Sequence, residues 1–184
     1  VNYNEWHHIT GTFSNITGIQ TTYIDGKEIT KSTKSNQIGQ TIKTTGTWNG
    51  AFEIGRLSRN TSNKQYFNGE IDEVRVFDKA LTEDQIQRIV YQEIEDSAGY
   101  VRGSVIPKDI VDISTGSKIS WSNLKAYYKM GTDFADDGRV RDYSENKKDI
   151  GTYNITTWQE ETAPMPYETI NNGSWTSQNT WLHG

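Results

Sequence analysis

Between Phe67 and Ile94 the chain reads FNGEIDEVRVFDKALTEDQIQRIVYQEI, and this stretch most narrows the folds open to it: a two-residue alternation passes through a short turn into an amphipathic helix. Successive β side chains face opposite sides, so Ile71, Glu73, Arg75 and Phe77 share one face and Glu70, Asp72, Val74 and Val76 the other. Neither face is apolar throughout, which suits a strand crossing from core to rim of a sandwich. Thr82 then reads as an N-cap, Gln85 completes a capping box, and Glu83 and Asp84 lie where the helix dipole favours negative charge. Ile86, Ile89, Val90 and Ile94 follow as one apolar stripe, so the helix is expected to be short and docked.

The rest of the chain is punctuated for strands. Residues 1–13 alternate, and residues 20–24 are expected to pair with residues 27–30 across Asp25-Gly26, a dipeptide suited to the positive φ of a tight primed turn. Residues 41–47 and 51–57 read as two strands around Trp48-Asn49-Gly50, with polar loops at 31–40 and 58–65. After Asp96 the texture changes: residues 97–123 set Gly, Ser and one Pro between short Val/Ile pieces and read as a linker with edge strands. In residues 124–130, Leu124, Ala126, Tyr128 and Met130 alternate with Lys125, Tyr127 and Lys129, the pattern of a half-buried strand.

Only 33% of the 184 residues are hydrophobic, yet 6 Trp, 10 Tyr and 16 Gly are present, a composition of exposed β structure. A net charge of −5 with no basic run argues against nucleic acid as a partner. No stretch approaches the ~20 apolar residues of a membrane-spanning helix. With 0 Cys, disulfides, thiolate metal sites and cysteine catalysis are excluded.

Several of these elements fall in a familiar order. Trp6-His7-His8-Ile9-Thr10-Gly11-Thr12-Phe13, Tyr23-Ile24-Asp25-Gly26-Lys27, Ile54-Gly55-Arg56, the Phe67–Phe77 strand and the Ala80-Leu81-Thr82 helix start resemble the second half of a laminin-G-like, concanavalin-like jelly-roll module. Leu124 to Asn154 resembles the opening of the same family, with Asp142, Ser144, Asn146, Gly151 and Thr152 in a D-x-S-x-N-x-x-x-G-T pattern. Asn172, Gly173, Trp175, Thr180, Trp181, Leu182 and Gly184 resemble segments of large surface and gliding-motility adhesins of the Bacteroidetes. Since the chain opens inside a motif, it is expected to be a fragment of a longer protein.

The implied fold is all-β: an antiparallel jelly-roll sandwich with one short C-terminal helix, followed by a second β-rich segment. The implied division is residues 1–96 as the C-terminal half of the jelly roll, 97–123 as linker, and 124–184 as the second segment. That last segment either starts a further repeat, the slightly favoured arrangement, or returns to pair beside residues 70–77.

Glucanases of the same architecture carry carboxylates on one strand face as E-[IL]-D-x-x-E or E-[IL]-D-x-E, and retaining enzymes need the acid and nucleophile about 5 Å apart. Glu70-Ile71-Asp72 begins that pattern, but positions 74 and 75 are Val and Arg and Glu73 points to the opposite face, so no enzyme is expected. The adjacent His7 and His8 point to opposite faces of a strand and are read as structural. The resemblance implies calcium at the sandwich rim, with Asp72 as the first candidate ligand; Asp133 and Asp137 resemble a calcium loop whose third ligand position is filled by Ala135. Trp48 and Tyr66 lie beside loops and are candidate stacking surfaces for sugar rings, against the alternative that they pack in the sandwich. Ser97, in Asp96-Ser97-Ala98, resembles a Bacteroidetes O-glycosylation acceptor. The expected role is a secreted, cell-surface adhesin module that binds a glycan or surface polymer. Its expected partners are neighbouring repeats of the same chain and the secretion or surface-anchoring machinery; the alternative role is a spacer repeat.

Overall fold

The computed structural model describes residues 4–40, 52–58, 64–131, 138–153, 167–169, 172–177 and 181–183. Every ladder among them is antiparallel, and one α-helix and two single-turn 3-10 helices are present. Strands β1 (Ile9–Ser14), β2 (Ile19–Ile24) and β3 (Lys27–Thr33) form a three-stranded sheet in that order. Five two-stranded ladders follow. They join β4 (Arg56–Ser58) to β5 (Lys64–Tyr66), β6 (Val74–Phe77) to β9 (Leu124–Tyr128), β7 (Ile94–Ser97) to β8 (Tyr100–Gly103), β10 (Arg139–Val140) to β11 (Ile150–Gly151), and β12 (Tyr167–Thr169) to β13 (Trp181–His183). The described residues thus form short antiparallel ladders with one α-helix, an arrangement consistent with a β sandwich.

The Asp25-Gly26 hairpin forms as its residue types require, with φ of 51° and 77° at the two positions. Gly26 meets a second demand: a Cβ there would lie 3.2 Å from the Gln87 Cα and 3.2 Å from a Val90 methyl, so the hairpin tip docks directly on the helix. That helix, α1, spans Glu83–Ile89, and the capping box at Thr82 and Gln85 is present in both directions. It is shorter than the apolar stripe suggests. Val90 already has an extended ψ of 128° and Tyr91 a φ of 60°, so Ile94 enters the core from β7 instead of from the helix.

The expected strand over residues 70–77 is likewise cut to Val74–Phe77. Glu73 adopts a left-handed φ of 53°, and its N–H is taken by the Asp72 carboxylate at 3.0 Å. This resets the alternation before the ladder begins. β6 pairs antiparallel with β9 from Val74↔Tyr128 to Phe77↔Leu124. Residues 124–128 therefore return beside this strand, and the slightly favoured arrangement, the start of a further repeat, is replaced by the alternative.

Residues 97–123, expected to be a linker with edge strands, do carry an edge hairpin, yet they also supply Val101, Ile110, Ile119 and Trp121 to the buried cluster. The β7–β8 ladder runs across the expected boundary at residue 96. That cluster joins them to Tyr23, Leu81, Ile86, Ile89, Ile94, Leu124 and Tyr127. The core thus sits between the helix and the returning strand.

The outer edge of β9 is closed by a loop rather than by a strand: the Tyr143 N–H donates to the Tyr127 carbonyl at 2.8 Å, and side chains complete the closure. Asp142 accepts the N–H groups of Tyr127 at 3.0 Å, Ser144 at 2.9 Å and Lys148 at 2.9 Å. The Ser144 hydroxyl and the Asn146 amide both donate to the Lys125 carbonyl, at 3.3 and 2.7 Å. The D-x-S-x-N spacing thus acts as a clasp that satisfies backbone groups which would otherwise be buried without partners.

Candidate functional site

Ile54-Gly55-Arg56 and Tyr66-Phe67 meet across the β4–β5 ladder, where Arg56 is the register partner of Tyr66 and the Gly55 carbonyl accepts the Phe67 N–H at 2.8 Å. The ladder ends there, so Tyr66 and Phe67 are both left on the surface, 62% and 59% exposed. Phe67 is seated by a glycine: a Cβ on Gly69 would come within 2.9 Å of its ring. Gly55, Arg56, Gln65, Tyr66, Phe67 and Ile71 line an open groove of about 340 Å³. Arg56 is ion-paired with Glu53 beside it. Two aromatic surfaces, an amide and a neutralised guanidinium–carboxylate pair offer stacking faces together with donors and acceptors, the equipment for an uncharged polyhydroxylated ligand.

Tyr66 is thus placed in a groove, with Phe67, Arg56 and Gln65 gathered around it. Trp48, Asp133 and Asp137 lie outside the described residues. Asp72 is half-buried and bonded to its own backbone neighbour. Among the described residues no group of three His, Asp or Glu side chains is arranged to hold a metal ion. Ser97 is half-buried at the end of β7, before a turn closed by Gly99 N–H donating to the Asp96 carboxylate at 2.8 Å. Glu70 is exposed and Ile71 turns into the groove wall.

The residues that follow Glu70-Ile71-Asp72 are committed to the interior. The Arg75 side chain, 5% exposed, pairs with Glu73 and donates to the carbonyls of Gln92 and, at 3.0 Å, Ile89. It therefore caps the C-terminal end of α1, where the helix dipole favours a cation. Tyr127 donates to Glu73 at 2.9 Å, accepts the Ile94 N–H at 3.2 Å, and lies with its ring centroid 5.5 Å from the Arg75 guanidinium. Burial pushes the Glu73 carboxyl upward, and the charge and hydrogen bonds of Arg75 offset only part of that. Burial, with Glu73 adding, also drives the Tyr127 hydroxyl well above its ordinary range. Glu73 lies just before β6 in a left-handed conformation, so its pair with Arg75 is made across the turn and not by strand alternation; the carbonyl partners of Arg75 lie 14 and 17 residues away.

The two histidines have separate structural roles. Asp25 accepts the His8 N–H at 2.9 Å and bonds His7 Nδ1 at 2.9 Å, tying the hairpin turn to the entry of β1. His8 is lowered to about 4, first by burial and then by the Arg75 charge, with Asp25 opposing.

Residues 1–87, just under half of the chain, match the laminin-G-type family model described as the concanavalin A-like lectin/glucanases superfamily. No curated protein and no solved structure matches the chain. Antiparallel ladders with one helix are consistent with a concanavalin-like β sandwich, and the match supports a carbohydrate-binding or structural module in general. That superfamily holds both enzymes and proteins without catalytic activity. Among the described residues no helix is long and apolar enough to cross a membrane.

Proposed function

We propose that this chain belongs to a non-catalytic carbohydrate-binding module of jelly-roll order in a secreted, surface-exposed bacterial adhesin, with saccharide rings lying on Tyr66 and Phe67. One observation carries the reading: two adjacent aromatic side chains, each more than half exposed, line a groove whose polar groups are already charge-neutral. The cysteine-free composition and the likeness of the C-terminal motif to Bacteroidetes adhesin segments support the setting. A non-catalytic role is supported by Arg75, which stands where a second carboxylate would be needed and is tied to the end of α1. Calcium enters the proposal as an aid to binding, with Asp72 as the first candidate ligand and Asp133 and Asp137, which lie outside the described residues, after it.

The test is a glycan array probed with the intact chain, with and without chelator. Capture of neutral oligosaccharides that is lost in Tyr66→Ala is the expected result. Loss on chelation with recovery on added Ca²⁺ would establish the metal's part. Silence under both conditions would sink the lectin reading and leave a spacer repeat, and release of reducing ends from a β-glucan would restore the hydrolase.

A further inference from the structure

The chain leaves the Tyr66-Phe67 groove through Asn68-Gly69, an asparagine followed directly by glycine. The step lies between β5, which ends at Tyr66, and β6, which begins at Val74, and both of its residues are exposed. Backbone pairing stops one residue earlier, where the Phe67 N–H donates to the Gly55 carbonyl at 2.8 Å. Among the described residues neither the Asn68 side chain nor the Gly69 N–H has a hydrogen-bond partner. Two other asparagines differ on both counts. Asn123 donates to Asp78 at 2.9 Å and Asn146 to the Lys125 carbonyl at 2.7 Å, and the residues after them, Leu124 and Lys147, carry a Cβ.

An asparagine left free in this way reacts with its own backbone. The nitrogen of Gly69 attacks Cγ of Asn68, a Cγ–N bond forms, the Cγ–Nδ2 bond breaks, and the amide proton leaves with the side-chain nitrogen as ammonia. Water then opens the five-membered imide at either carbonyl, leaving aspartate or isoaspartate, and no oxidant or reductant is needed. Glycine favours the step because no Cβ crowds the approach. Its backbone also reaches conformations closed to other residues, and Gly69 already sits at a φ of 157°.

We propose that Asn68-Gly69 is a site of spontaneous succinimide formation, and that its products disable the adjacent groove as the chain ages. Aspartate adds a negative charge next to a groove whose guanidinium and carboxylate already cancel. Isoaspartate routes the chain through the former side chain and so adds one backbone carbon, about 1.5 Å, between Phe67 and Gly69. That glycine stands so close to the Phe67 ring that even a Cβ would come within 2.9 Å of it, so the seat of the ring moves with the backbone. The chemical step stands on the exposed asparagine–glycine pair alone; its effect on binding rests on the saccharide reading of the groove.

The test is storage of the intact chain in mildly alkaline and mildly acidic buffer, with samples taken for tryptic mapping and for the glycan array. Cleavage after Lys64 and Arg75 isolates Asn68 in one peptide, residues 65–75. There the acid products differ in mass from the amide, and an isoaspartate-specific methyltransferase marks the rearranged one. Conversion at Asn68 should be faster in alkali, which removes the proton of the attacking amide. It should outpace conversion at Asn123 and Asn146 by roughly tenfold or more, the factor set by about 1.4 kcal/mol of barrier. Wild-type capture on the array should fall in step with conversion. Asn68→Gln closes only a slower six-membered ring, so it should stay unmodified at this position and keep its capture through storage. Failure of Asn68 to convert overturns the proposal, as does conversion of Asn123 or Asn146 at the same rate. Conversion with undiminished capture overturns the effect on the groove. If fresh wild type captures nothing, the saccharide reading is what fails, and the peptide map decides the modification by itself.

Discussion

Of the side chains in the common core, Tyr23, Leu81 and Ile86 come from residues 1–87, whereas Ile89, Ile94, Val101, Ile110, Ile119, Trp121, Leu124 and Tyr127 come from the next forty. The first region carries the hairpin, the glycine turns and the family match; among the described residues, the second carries most of the side chains in the buried cluster. The difference teaches that recognisable motifs here mark places of backbone constraint, such as Asp25-Gly26 against α1. Among the described residues, most of the buried apolar side chains of that cluster lie outside the part of the chain that matches the family model. The two regions are joined by the β6–β9 ladder and by Arg75, which reaches from the first into carbonyls of the second.

The strongest way to break that comparison is to truncate one isoleucine in each region. Ile119 is fully buried and Ile9 is 66% exposed. Ile119→Ala should cost about 4 kcal/mol in urea unfolding, and Ile9→Ala no more than about 0.5 kcal/mol. Equal losses would mean that the first region holds a core of its own.

Next in size is the clasp. Asp142→Ala strands three backbone N–H groups that the carboxylate now accepts, and about 3 kcal/mol of destabilisation is expected by the same measurement. Asp142→Asn, which keeps an acceptor, should recover part of the loss. If alanine proves harmless, β9 is held by its ladder with β6 and the loop is incidental.

The junction can be tested by pH. Folded His8 stays neutral down to about 4, while the unfolded chain takes up that proton near the ordinary 6.5. The unfolded state thus binds more protons between these values, so the stability contributed by neutral His8 is intact above pH 6.5 and is lost as pH falls towards 4. The loss should be on the order of 2 kcal/mol after allowance for partial solvent screening. In His8→Gln the stability curve should be flatter across that window by this amount; parallel curves would show that burial, with the Arg75 charge adding, does not hold His8 neutral.

Local chemistry was legible in the sequence; distant partnership was not. The Thr82–Gln85 capping box and the Asp25-Gly26 turn depend on residues within four positions of each other, and both form as read. The strand expected over 70–77 failed at Glu73, because its left-handed φ serves a side chain whose partners are Arg75 and Tyr127, the latter 54 residues away. Gly, Ser and Pro between short apolar pieces read as linker over 97–123, since Val101, Ile110 and Ile119 are too widely spaced for either period to reveal a shared interior. Tyr66 could be picked out as an aromatic beside a loop. Phe67 could not, because alternation puts neighbours on opposite faces, and only the end of β5 at Tyr66 brings both rings to one groove.

The smallest expected effect on stability is also the one that separates the exposed groove from the core. Tyr66→Ala removes a ring that is 62% exposed, so unfolding should shift by less than about 0.5 kcal/mol. Gly69→Ala retains both aromatic side chains but puts a methyl 2.9 Å from Phe67, forcing that ring to move. Tyr66→Ala should keep the wild-type urea midpoint, Gly69→Ala should lower it modestly because its φ of 157° is one that L side chains rarely adopt, and both should lose capture on the glycan array. If Gly69→Ala binds as well as the wild type, the position of Phe67 is irrelevant and recognition rests on Tyr66 alone. If Tyr66→Ala lowers the midpoint by several times the expected amount, the ring is structural, and the contrast between a binding surface in the first region and a core in the second no longer holds.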